Sequence, residues 1–186
     1  SYLKVINSKF RNNHANIGGA IYQNGVTVLN VTNSVFENNI ANHTAGAIYA
    51  ECKAAIEGGL INYRFVNLVV DYCNFTGNKA LEIVGGAIAT DYYAPVIVTN
   101  SKFESNYANA SGGAIFTNDR ESILKVNNTK FIENSAEYGG AIHSLSEIDV
   151  HYSEFIRNNA TFDGGAILEG VNITVIMYSN FTNNTA

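Results

Sequence analysis

The chain has 186 residues, room for one domain, and is 46% hydrophobic and 15% charged. A net charge of −5 leaves no basic footprint for nucleic acid, and no apolar run reaches the roughly 18 residues of a membrane span. One Pro, 16 Gly and an 11% share of Tyr and Phe exclude collagen-like and Pro-rich disordered chains, while 27 Asn residues are far above ordinary usage.

In chain order, Leu3 and Val5 come first, then Ser8 and Phe10, then Asn13 and Ala15, then Gly18-Gly19-Ala20-Ile21. The same order returns from Leu29 through Phe36 and Asn39 to Ala45-Gly46-Ala47-Ile48, a variant of the glycine phrase. Residues 51–65 break the rhythm, and Leu68, Val70, Cys73 and Phe75 then resume it. Further copies centre on Phe103, Phe131, Phe155 and Phe181. All seven Phe residues have Asn three positions later and Ala five positions later, and successive ones lie 26, 39, 28, 28, 24 and 26 apart. Gly-Gly-Ala-Ile itself starts at Gly18, Gly85, Gly112, Gly139 and Gly164. Agreement at seven of seven positions identifies a structural repeat.

The apolar residues are β-branched and follow a period of two, not a helical spacing. Positions seven and five before each Phe share one face, as do the small residue two before it and the Phe itself. The odd step between these pairs requires a bend. Asn and Ala form a third inward pair, again out of phase, and the glycines supply a corner of unusual φ. The predicted fold is all-β, a right-handed parallel β-helix (β-solenoid) of about six full coils plus a partial seventh. It forms a single domain over 1–186 with an inserted loop at about 51–65.

Stacking explains the choice of residues. Coils repeat about every 4.8 Å, so Phe meets Phe and Val meets Val. A buried Asn column satisfies itself when side-chain amides bond between coils. The glycine pairs are corners and not phosphate cradles, because no helix follows them. The insertion, Glu51 to Gly59, reads as a loop with one helical turn. Cys73 takes a small-residue slot, either as a Ser substitute or as half of a Cys52–Cys73 disulfide.

The tandem pairing of Phe10-Arg11-Asn12-Asn13 with Gly18-Gly19-Ala20-Ile21 resembles the repeats of chlamydial polymorphic outer-membrane proteins and of adhesin-like surface proteins of methanogenic archaea. The resemblance runs through essentially the whole chain. It implies a right-handed β-helix and a cell-surface, extracellular protein assigned to adhesion. The matching residues are core and corner positions, so they imply no particular ligand.

Nine Asn-x-Ser/Thr sequons, at Asn30, Asn42, Asn74, Asn109, Asn127, Asn159, Asn172, Asn180 and Asn183, exceed what composition gives by chance. They are glycosylation candidates in an exported protein. Asn74 and Asn180 precede an inward Phe and are expected to face solvent.

Polysaccharide lyases and hydrolases share this architecture, and their chemistry needs clustered carboxylates. Here Asp71, Asp91, Asp119, Asp149 and Asp163 fall at different phases of the repeat and are not expected to stack. The densest polar group, His143, Glu147, Asp149, His151 and Glu169, reads as ordinary surface. No zinc spacing, calcium repeat or nucleophile elbow is present, so no catalytic residue, metal or cofactor is assigned. A binding surface is easier to find. The residues after each Gly-Ala-Ile are Tyr22, Tyr49, Ala89, Phe116, His143 and Leu168. With Ile inward they form an outward, partly aromatic stripe suited to glycans or proteins. The opposite parity would bury them and leave Ile outside; parity alone does not choose between the two, and Ile inward is the reading adopted. Tyr92 and Tyr93, before Pro95, are a second candidate patch.

The expected function is therefore a non-enzymatic structural or adhesin-like module. The rivals are a subunit of an extracellular filament or sheath and a polysaccharide-degrading β-helix. The repeat runs to both ends of the chain without a capping segment, so the expected neighbours are further coils or other copies of the same protein.

Overall fold

Three residues per coil adopt a left-handed backbone, and these set the cross-section. The first lies three residues before each Phe and includes Asn33 (φ 49) and Tyr72 (φ 50). The second lies two after it, as Asn38 (φ 53), Gly77 (φ 64) and Glu133 (φ 54). The third opens each glycine phrase, as Gly85 (φ 69), with Ala45 (φ 59) as its one non-glycine member. A side chain in this region costs roughly 1–2 kcal/mol, and Asn, frequent at the first two corners, bears it best. Part of the unusual Asn content is thus corner chemistry.

The computed structural model describes residues 2–25, 28–52, 54–57, 60–63, 67–170 and 174–186. Between corners run four short strands per coil, typified by Val28–Thr32, Val35–Glu37, Ile40–Thr44 and Ile48–Glu51. Equivalent strands pair in parallel into two seven-stranded and two six-stranded sheets, which makes six full coils and a partial seventh. Register follows the repeat: Leu29 lies between Leu3 and Leu68, and Phe36 between Phe10 and Phe75. Ile48 lies between Ile21 and Ile88.

The predicted inner ladders fill the tube. Neighbouring Phe rings stack with centroids 4.6–5.0 Å apart and planes within 9°. On the third sheet Ala80, Ala108 and Ala136 form their own buried cluster. Ile48, Ile88, Ile115 and Ile142 are fully buried, so Ile is the inward residue of the glycine phrase. The second glycine of each pair answers a different need. A Cβ on Gly86 would stand 2.0 Å from the carbonyl oxygen of Gly113 on the next coil.

Two expectations are corrected. Within the insertion, Ala54–Glu57 and Leu60–Tyr63 pair antiparallel as a two-stranded hairpin, not a loop with a helical turn. Gly58-Gly59 between them in sequence is a two-residue hairpin signal. The Cys52–Cys73 disulfide is not formed, and both residues are reduced and buried. Cys52 packs with Ala50 and Ala94, whereas the Cys73 thiol donates to the Asp71 and Val31 carbonyls inside the small-residue ladder.

Ser34 and Ser101 occupy the ladder slots on either side of Cys73. Cys73→Ser is therefore expected to shift stability by less than about 1 kcal/mol. Burial holds the Cys73 thiol above its ordinary pKa. The native protein at pH 8 should accordingly leave this thiol unmodified by a disulfide reagent until urea unfolds it, a result read by titrating thiols through the transition.

Candidate functional site

On the fourth sheet the inward Ile leaves alternate residues facing out, and two columns result. The first is Tyr22, Tyr49, Ala89, Phe116, His143 and Leu168, paired coil to coil in register. The stripe expected from the sequence is therefore outward. Tyr22 is 49% exposed, Tyr49, Phe116 and His143 are half-buried, and Ala89 is buried. Tyr22 and Tyr49 lie ring against ring at 5.5 Å, and Phe116 meets His143 edge-on at 5.4 Å. Burial lowers the His143 pKa, so its imidazole is neutral at pH 7, and Nδ1 is buried without a partner among the described residues.

The second column, two residues along each strand, is Asn24, Glu51, Asp91 and Asn118. The sequence reading missed it: Glu51, which was not among the five Asp residues weighed there, stacks on Asp91 of the adjacent coil. The Tyr22 hydroxyl donates to Glu51 Oε1 at 2.6 Å, and the Tyr49 hydroxyl to Oε2 at 3.4 Å. Asn118 Nδ2 donates to Asp91 Oδ1 at 2.8 Å, as does the Tyr92 N–H at 3.2 Å. Burial, with Glu51 adding to it, raises the Asp91 carboxyl above the ordinary carboxylate range. Burial and both carboxylates also push the Tyr49 phenol well above its ordinary pKa, so it remains a donor. Between these columns and the preceding corner is a cavity of about 230 Å³ that reaches Thr44, Tyr49, Ile83, Ala89, Asp91 and Phe116.

The other candidates do not join this surface. His151 Nε2 pairs with Asp149 Oδ1 at 2.7 Å on the first sheet, together with Glu147, whereas Glu169 pairs in register with Ser144 on the fourth. Among the described residues no three His, Cys, Asp or Glu side chains are grouped to hold a metal. Tyr92 is 58% exposed, while Tyr93 packs against the Ala50–Cys52–Ala94 cluster, so only one of that pair is presented.

Of the sequons, Asn42, Asn74, Asn109, Asn127, Asn159, Asn180 and Asn183 are exposed. Asn30 is half-buried and donates to the Tyr2 hydroxyl, and Asn172 lies outside the described residues.

A family model described as a right handed beta helix region matches residues 1–186. The chain is also 26% identical over 182 residues to the Metabotropic glutamate receptor-like protein R of Dictyostelium discoideum, an alignment covering 95% of this chain and 10% of that much longer protein. No solved structure matches the chain.

Proposed function

From the premise that this chain belongs to the right-handed β-helix family, we propose that it is a non-enzymatic, extracellular cell-surface module of structural or adhesin-like type. The family contains enzymes as well as non-enzymes, so activity has to be read from the site. The observation that carries the reading is the outward face of the fourth sheet. It aligns rings and hydrogen-bonding groups along a rigid surface, where Glu51 already accepts from the Tyr22 and Tyr49 hydroxyls and Asp91 from Asn118 and the Tyr92 N–H. Flat rings with polar tips suit cell-surface glycans or proteins. The exposed sequons support an exported glycoprotein, and the repeat type supports a surface setting alongside further coils of the same kind.

The test replaces Tyr22, Tyr49, Phe116 and His143 together by Ala. Their side chains lie outside the tube, so Tm is expected to fall only modestly while binding to cells or to a glycan and protein array falls at least tenfold. Unchanged binding removes the stripe from the function. Product release from a panel of acidic and neutral polysaccharides would replace the proposal with the enzymatic alternative. Intact mass of native material reports whether the sequons carry sugar.

A further inference from the structure

The aromatic column lacks one ring. Ala89 sits in register between Tyr49 and Phe116, so these two ring-bearing positions are two coils apart. At about 4.8 Å per coil the interval is roughly 9.6 Å. Aromatic partners stack at about half that separation, so the interval suits a single planar group inserted between two ring positions. The cavity of about 230 Å³ is lined here by Tyr49, Asp91 and Phe116 and reaches the buried Ala89 between them.

Charge then selects the occupant. Glu51 and Asp91 are stacked one coil apart, and among the described residues neither forms an ion pair with Lys or Arg. A pyranose is thicker and neutral, and an ammonium is compact and leaves a slot-shaped space unfilled. A guanidinium is planar and cationic, stacks on ring faces, and presents a fork of donors to a carboxylate. We propose that the notch over Ala89 binds a guanidinium, the arginine side chain of a partner protein, stacked between Tyr49 and Phe116 with Asp91 as its anion. This rests on the reading of the face as a binding surface and specifies the chemistry of its partner.

The experiment titrates the full chain with acetyl-Gly-Arg-Gly-amide, watching the Ala89 methyl by NMR, beside the lysine and citrulline counterparts. Citrulline keeps the planar shape and removes the charge. The arginine peptide is expected to bind at least fivefold tighter than the lysine peptide and at least tenfold tighter than the citrulline peptide. Its affinity should weaken as salt rises. Ala89→Phe supplies the missing ring, which adjacent coils already carry, and is expected to abolish binding with Tm retained. Asp91→Asn is expected to weaken binding at least tenfold, and it decides the matter if Ala89→Phe fails to fold.

Equal binding of citrulline and arginine overturns the proposal, as does unchanged binding in Asp91→Asn. Lys53, outside the described residues, is replaced by Ala in a parallel sample. Arginine binding that appears only in that variant would assign the slot to the chain's own lysine and also overturn the proposal. Loss of cell binding in the four-residue stripe variant, with no arginine binding in the parent protein, would leave the surface reading standing and the notch refuted.

Discussion

Replacing Phe103 with Ala is expected to destabilise the protein by about 3–5 kcal/mol, the range for removing a fully buried aromatic side chain without collapse of its site. Phe103 is inaccessible to solvent and stacks on Phe75 at 4.7 Å and on Phe131 at 5.0 Å. Both neighbours are held by their own backbone ladders, so neither can move in to close the cavity. For a chain of this length the loss corresponds to a fall in Tm of roughly 6–20 °C. Phe181 occupies the same ladder slot but is 42% exposed and stacks on only one side in the described structure, against Phe155. Phe181→Ala is expected to cost less than half as much. Urea melts of both variants check the contrast, and equal losses would refute a stability set by neighbouring coils.

Asn106→Leu is expected to be at least as damaging, although Leu has the same branched skeleton of four side-chain heavy atoms. Asn106 Oδ1 accepts from the backbone N–H of Asn78 at 3.0 Å and from Asn78 Nδ2 at 2.9 Å. Its own Nδ2 donates to the Phe75 carbonyl at 3.0 Å and to Asn134 Oδ1 at 2.9 Å. Leu would leave two donors and a carbonyl buried without these partners. At about 1–3 kcal/mol for each of the three groups, the loss is on the order of 3–9 kcal/mol. A loss below about 1 kcal/mol in the same melts would mean that the column relaxes or admits water. The Asn ladder is therefore predicted to hold the coils in register as strongly as the Phe ladder holds the core.

The inner ladders were legible because seven copies of Phe, Asn and Ala overdetermine their phase. The parity breaks between apolar pairs located the corners before any backbone angle was known. The Glu51–Asp91 column was hidden for a definable reason. Counted from the preceding Phe, Glu51 is 15 residues on and Asp91 is 16, because the link between Ala and the glycine phrase varies in length. Counted from the inward Ile they coincide, at Ile48 plus three and Ile88 plus three. Register is reset at each corner, so an outward column is aligned only from the corner that launches it. The hairpin was misread because short apolar runs fit helix and strand alike, and the Gly-Gly between its strands was given no weight. The disulfide failed because proximity in sequence placed Cys52 beside a coil whose Cys73 points into the tube.

The hairpin insertion also bears on how such a chain can vary. Every parallel pairing in the tube closes a loop one coil long, 24–28 residues in the ordinary steps and 39 where the hairpin intervenes. Closure entropy grows only logarithmically with length, so this half-again longer loop costs roughly 0.4 kcal/mol more. That is an order of magnitude less than the expected loss of one ladder Phe. Evolution can therefore lengthen, shorten or exchange whole segments between corners at almost no thermodynamic penalty, while single atoms inside the tube stay fixed. Diversity in what the surface recognises is then expected to arise by segment exchange at the corners.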